Sequence, residues 1–348
     1  MKIAYFTGLR KLELAEAPEP KLQRPEDVLL RIDRVGICGS DVHYYCEGRI
    51  GSQMVEYPAT LGHECAGTVL QVGTAVARLA PGDRVAVDPA TFCGVCDQCR
   101  AGRVNTCRKL RFMGCPGETP GAVAGLHVLP AASCFPIPAS MSLDEATLIE
   151  PLSIGLYAVR LAEMRPAAKI AVLGAGPIGL SVLLSAKATA KATVYMIDLL
   201  DERLDVARRC GADWTGTPRR EDIAAAIAQR EPQGLDFVLE CSGDPECIDQ
   251  GQQLLGPGGT LLLVGIPPED RVSFDPHRMR RMELTMKSVR RQKDCVAPAI
   301  GLVSERRIDL RPLVTHHFPL ERIHDAFELV AGYRDGVIKA ILHLTDAE

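Results

Sequence analysis

At 348 residues the chain is long for one core and suits two domains of ordinary size. Hydrophobic residues at 47% and charged residues at 24% are a soluble globular balance, and a net charge of −4 offers no basic field for nucleic acid. No stretch approaches the ~18 apolar residues of a membrane span, and MKIAYFTGLRKLELAEAPEP has no apolar core of signal-peptide length, so a cytoplasmic protein free of membrane and nucleic acid is expected.

Residues 1 to about 150 are rich in glycine, proline and β-branched runs. DVLLRIDRVGIC, GTVLQVG and GDRVAVDP run or alternate apolar for strand lengths and end in turn residues, which predicts an all-β region without a long amphipathic helix. The pattern changes near 153. SIGLYAVRLAEM has helical periodicity, KIAVLGAG reads as a buried strand, and PIGLSVLLSAKATA as a helix. TVYMID is a second strand, DERLDVARRCGAD a helix closed by glycine, and LDFVLECSG and GTLLLVGIPP are two more buried strands. Near-continuous apolar strands alternating with helices predict a parallel, doubly wound α/β sheet. Beyond about 290, PLVTHHFPL and GVIKAILHL return to strand character.

Gly174, Gly176, Pro177, Ile178 and Gly179 form a G-x-G-P-I-G turn between the strand KIAVL and the next helix. Such a turn lets the backbone approach a pyrophosphate at the helix N-terminus. Asp198 ends the next strand, 19 residues past Gly179, where a carboxylate accepts both ribose hydroxyls and repels a 2′-phosphate. NAD is therefore expected over NADP. Arg203 could accept a phosphate, but beside Asp198 it is assigned to packing on the adenosine.

Thirteen cysteines without an export signal argue against a disulfide framework and leave thiols free for metal. Cys93, Cys96, Cys99 and Cys107 have spacing for tetrahedral zinc, and an all-thiolate shell leaves no open position, so this site is expected to be structural. An iron–sulfur cluster is the rival, although the last gap is longer than the usual run and Arg108 follows in place of proline. A catalytic metal needs a vacancy. GICGSDVHYY supplies Cys38, TLGHECAG supplies His63 and Glu64, and TLIEPLSIG adds Glu150 just before the nucleotide-binding segment. Taken singly, Cys38 also fits a core thiol, His63 a turn histidine and Glu150 a helix-capping carboxylate.

Taken together, GICGSDVHYY, GRIG, LGHECAGTV, PGDRVAVDP, LIEPLSIG, GAGPIGL, ECSG and PLVTHHFPL occur in one order along nearly the whole chain. This set resembles the zinc-dependent medium-chain dehydrogenases, most closely their polyol branch of sorbitol and xylitol dehydrogenases. The resemblance implies a GroES-like β domain over residues 1–151 and 290–348, split by a Rossmann domain over 152–289. It implies a catalytic zinc on Cys38, His63 and Glu64, with Glu150 as a water-linked or exchanging ligand and a second, structural zinc. It also implies oxidation of a secondary hydroxyl of a sugar alcohol with hydride transfer to NAD, in a homotetramer or homodimer. Ser40 and His43 are expected to relay the proton, and Tyr45 and Phe112 to line the pocket together with Tyr44. In the alcohol branch a cysteine stands where this chain has Glu150.

One departure concerns the substrate. The polyol branch often carries Arg-Tyr after the last Rossmann strand, and here Val289 is followed by Arg290 and Arg291. A second arginine admits an acidic or phosphorylated polyol. Butanediol- and threonine-type dehydrogenases, a non-catalytic NAD-binding protein and a zinc-ribbon nucleic-acid module are the other readings. Arg278, Arg280 and Arg281 in the same basic run are assigned to a solvated surface or a subunit contact.

Overall fold

The computed structural model describes residues 1–345, and its chain divides into two units. The first comprises Met1–Glu150, Val296–Glu305 and the described residues from Val314 on; the second comprises Pro151–Cys295 and Arg306–Leu313.

In the first unit the apolar runs pair as expected. Asp27–Gly36 and Glu64–Val72 lie antiparallel, with Gly36 opposite Glu64. The sheet has seven strands, ordered Cys134–Pro136, Arg84–Val87, Glu64–Val72, Asp27–Gly36, Lys339–His343 and Val314–Pro319, with Leu126–Pro130 also pairing on Asp27–Gly36. The strand Lys339–His343 thus returns from the far end of the chain to Asp27–Gly36, where Ile341 faces Gly36. Its inner side chains join a core with Phe6, Leu30, Ile32, Tyr45 and Phe327. This region also contains a nine-residue helix, Gly39–Glu47, that the strand-rich pattern did not suggest. Its apolar positions are few and its start is set locally, by Cys38 at the N-cap and Asp41 closing a capping box.

The second unit holds six parallel strands. Their order is Trp214–Gly216, Thr193–Ile197, Lys169–Leu173, Leu235–Glu240, Leu255–Leu263 and Thr285–Ser288. Numbered along the chain this is the doubly wound order 3-2-1-4-5-6, which reverses direction between Lys169–Leu173 and Leu235–Glu240. Helices Pro177–Ala190, Asp201–Arg209 and Glu246–Leu254 link the strands as the periodicity predicted for the first two. Two edge strands escaped the pattern. Trp214–Gly216 is only three residues long, and Thr285–Ser288 has no buried residue, so neither carries a buried-strand signature. The basic run before the latter is a structural element. Asp275 caps the helix Pro276–Arg281, and Arg278 donates to the carbonyls of Gln252 and Gln253.

Candidate active site and metal centres

The four cysteines of the lobe converge. Cys93, Cys96, Cys99 and Cys107 present sulfurs that all lie within 4.8 Å of one another. The Sγ separations are 3.5 Å for Cys96–Cys99, 3.8 Å for Cys96–Cys107 and 3.5 Å for Cys93–Cys107. Ligands around one zinc at a bond length of ~2.3 Å stand about 3.8 Å apart, so a single ion fits. Thiolates bound to separate irons would have to stand further apart, which disfavours the iron–sulfur reading. Backbone N–H groups of Arg108 and Cys99 point at Cys96 and lower its pKa to about 6. Those of Val95 and Cys96 lower that of Cys93 in the same way. The backbone thus favours thiolates at Cys93 and Cys96, the form that binds metal, whereas burial pushes the Cys99 thiol up to about 12 in the absence of metal.

The second cluster is Cys38, His63 and Glu64, whose ligand atoms also lie within 4.8 Å. Each is placed by local structure. Cys38 ends the strand-to-helix turn as the N-cap residue, with its N–H donating to Asp41 Oδ2 at 3.2 Å. Glu64 begins its strand opposite Gly36, so closely that a Cβ on Gly36 would fall 2.5 Å from Glu64 Oε2. Only glycine leaves room there for the carboxylate.

Two buried residues that sequence reasoning did not assign complete the surroundings. Asp41 Oδ1 accepts the Gly62 N–H at 3.2 Å and faces His63 Nδ1 at 3.5 Å. It favours a proton on Nδ1 and leaves Nε2 for a metal. Lys339 Nζ donates to Glu64 Oε2 at 2.5 Å and to the Ile37 carbonyl at 2.9 Å, with both side chains 1% exposed. One Glu64 oxygen is therefore held by an ammonium while the other remains for a ligand role. At His63 burial works hardest, against the charged ring, but Asp41 and Cys38 together outweigh it and raise the pKa.

Glu150 stands outside the 4.8 Å cluster yet is 6% exposed. Burial pushes its pKa up to about 7, against the pull of His63, and the negative charges of Glu64 and Asp88 add to the rise. Ser40 Oγ lies 3.4 Å from Cys38 Sγ. His43 Nδ1 is directed one turn along its helix, to Glu47 Oε1 at 3.4 Å. Phe112 is buried, its ring 5.2 Å from that of His63. Tyr45 has to be corrected. It is fully buried on Phe6 and Phe327, with its hydroxyl donating to Glu328 at 2.9 Å, so it packs the core instead of lining a pocket. Tyr44 is buried too, and its hydroxyl donates to Gln53.

In the second unit the glycine turn sits where the strand order reverses, at the C-terminal edge where such sheets bind ligands. Gly174 has φ +99°, and a Cβ there would meet the backbone of Cys241 and Ser242 within 3.1 Å. The turn from the first strand is thus packed on the turn after Glu240. Glu240, buried and unassigned from sequence, holds that second turn by accepting the N–H groups of Ser242 and Gly243 and the Ser242 hydroxyl. Asp198 accepts the N–H groups of Ala175 at 2.6 Å and Leu200 at 2.8 Å, and its remaining lone pairs can take hydroxyls. Arg203 Nη1 comes within 3.5 Å of a Cβ position on Gly176. Gly176 is the N-cap and Pro177 the first residue of the helix that also carries Ile178 and Gly179. Arg290 and Arg291 follow the strand Thr285–Ser288, Arg291 with φ +51°.

Residues 24–139 match the family described as alcohol dehydrogenase GroES-like domain, and residues 177–305 the family described as zinc-binding dehydrogenase. Over 344 residues the chain is 33% identical to a sorbitol dehydrogenase of Bacillus subtilis, covering 99% of this chain and 97% of that one. It is 38% identical over 324 residues to the sorbitol dehydrogenase of Rattus norvegicus, covering 92% and 90%. An Escherichia coli oxidoreductase/dehydrogenase of unknown specificity has a crystal structure that matches with a TM-score of 0.92 and 32% identity, covering 99% of both chains. The chain belongs to the zinc-dependent medium-chain dehydrogenases, in their polyol branch. A medium-chain dehydrogenase of this kind is an oxidoreductase, with a GroES-like β domain and a Rossmann parallel sheet. In this dehydrogenase four thiols would fill a tetrahedral shell, whereas the three donors Cys38, His63 and Glu64 would leave a fourth position open. No helix among the described residues is long and apolar enough to cross a membrane.

Proposed function

We propose that the chain oxidises a secondary hydroxyl of a sugar alcohol such as sorbitol or xylitol to the ketose, with NAD as hydride acceptor. The observation that carries this reading is the three-residue donor set of Cys38, His63 and Glu64, with the buried carboxyl of Glu150 in electrostatic reach of His63 and Glu64. The sorbitol dehydrogenase relatives support the substrate class. Zinc bound by these three residues supplies Lewis-acid polarisation of the hydroxyl, and NAD supplies the redox chemistry.

The chain's own residues do the rest. Asp41 fixes the His63 ring, and Lys339 balances the charge of Glu64. Glu150, buried close to His63 and Glu64, is the water-linked or exchanging ligand that the resemblance implies. Ser40, beside Cys38, takes the hydroxyl proton, and His43, partly exposed on the same helix, passes it to solvent. Phe112 walls the site next to His63. Arg290 and Arg291 meet the oxygens of the substrate. Gly174, Gly176, Pro177, Ile178 and Gly179 cradle the pyrophosphate, Asp198 binds the ribose and selects NAD, and Arg203 packs on the adenosine. Cys93, Cys96, Cys99 and Cys107 hold the structural zinc. The enzyme works in the cytoplasm as a homotetramer or homodimer.

NADH formation from sorbitol, xylitol and galactitol tests the reading, alongside butanediol, threonine and a hexitol phosphate. Turnover of a free polyol with NAD, and little with NADP, is expected. Turnover of butanediol or threonine alone would move the substrate, and turnover of the phosphate alone would assign Arg291 to an anionic group. Light scattering on the purified chain reads the oligomer, and a monomer would overturn that part.

A further inference from the structure

The described residues contain a third group of metal-binding side chains, unrelated to the two above. Asp144, His317 and His343 each offer a ligand atom within 4.8 Å of the others. All three belong to the first unit. His317 and His343 stand on the adjacent parallel strands Val314–Pro319 and Lys339–His343, and Asp144 on the short helix Leu143–Thr147. His317 Nδ1 is 2.8 Å from His343 Nε2, with the rings at 82°. The other nitrogen of His317 faces Asp144 Oδ2 at 3.8 Å. Arg34 Nε lies 3.3 Å from Asp144 Oδ1, which turns the second carboxylate oxygen toward the histidines.

The chemistry of the set decides what it can take. Two ring nitrogens at 2.8 Å are compatible only if one accepts, so at least one imidazole is neutral, the form that binds metal. Two imidazoles and one carboxylate suit zinc, cobalt, nickel or copper, whereas calcium and magnesium want an oxygen shell. Bonds of ~2.0–2.1 Å place neighbouring ligand atoms about 3 to 3.4 Å apart. The side chains of His317 and Asp144 are 46% and 30% exposed, so rotation can close the set from 4.8 Å to that spacing. Exposure also leaves room for water to complete the shell. The Arg34 charge opposes a cation, so this site binds more weakly than either zinc centre.

We propose that Asp144, His317 and His343 form a third metal site for an imidazole-preferring divalent transition ion, which ties the strand Lys339–His343 to its neighbour and to the helix Leu143–Thr147. Nickel is the probe, because it can be counted separately from zinc. Untagged protein as purified is equilibrated with increasing Ni2+, and both metals are counted by mass spectrometry after gel filtration. One nickel per chain is expected without loss of zinc, with a rise in melting temperature. His317→Gln and His343→Gln should each lose the nickel while keeping wild-type zinc content and melting temperature without nickel. The inference fails if the wild-type chain takes up nickel only by displacing zinc or takes up none. It fails equally if both variants bind nickel as the wild type does.

Discussion

Lys339 is the residue whose contribution is most sharply defined. It is a buried ammonium whose partner, Glu64, is equally buried, and removing one charge strands the other. Lys339→Met should destabilise the metal-free chain by about 3–5 kcal/mol. The zinc-loaded chain should lose less, because the ion compensates Glu64. Denaturant unfolding with and without metal reads the difference, and equal losses in both forms would contradict the assignment. Glu150 gives a second prediction with a defined sign. Burial raises its pKa to about 7, so the folded metal-free chain holds a proton that the unfolded chain has released. That contribution is complete below the ordinary carboxylate range and is lost as pH rises through about 7. Between about pH 5 and pH 7 the metal-free wild type should therefore lose stability relative to Glu150→Gln, at up to about 1.4 kcal/mol per pH unit, and the difference should level off above that. A difference that does not change with pH would place Glu150 in contact with water. Cys38, His63 and Glu64 were expected together from the resemblance that their short motifs carry, and their ligand atoms lie within 4.8 Å of one another. Asp41 and Lys339 were not expected there. Asp41 doubles as an ordinary capping residue, and Lys339 reaches Glu64 only through a strand that pairs across the length of the chain. The signal available was a lone lysine in the apolar run GVIKAILHL, which demands a buried anion.

At the scale of elements, long apolar strands and their helices were read correctly where burial is continuous, as in Lys169–Leu173 and Pro177–Ala190. Short or half-buried elements were missed. Trp214–Gly216, Thr285–Ser288 and the helix Gly39–Glu47 take their shape from neighbours and caps more than from periodicity. Tyr45 illustrates the cost of this blindness. Placed by proximity to Cys38, it was expected in the pocket, but the helix turns it onto Phe6 and Phe327 in the core. The four-cysteine lobe is also tied to the catalytic cluster through an element. The strand Arg111–Phe112 follows Cys107 and delivers Phe112 to the ring of His63. Cys96→Ser should lower zinc content by one ion per chain, since three thiols lose most of the affinity of four. The melting temperature should fall by about 2–4 °C for each kcal/mol of lost metal binding, with a smaller loss of turnover through Phe112. Unchanged zinc content would contradict the assignment of this cluster as a metal centre.

At the scale of the molecule, the change of pattern near residue 153 and the return to strand character beyond about 290 were both legible, whereas the excursion Arg306–Leu313 into the second unit was not. The expected second boundary at 290 contrasts with a chain that re-enters the first unit at Val296, leaves it for Arg306–Leu313 and re-enters at Val314. No local composition marks the last two crossings, because they follow from which sheet each segment joins. The consequence is chemical. The first unit assembles Cys38, His63, Glu64 and Lys339 from both ends of the sequence, and the second carries the glycine turn and Asp198. Activity should therefore need an intact metal in one unit and NAD on the other. The most direct test is sorbitol-dependent NADH formation before chelation, after zinc removal and after zinc add-back, in the wild type and in His63→Ala. The account predicts turnover that disappears with the metal, returns with zinc in the wild type, and is absent throughout in His63→Ala while NAD still binds. Undiminished turnover in the zinc-free protein or in His63→Ala would contradict it.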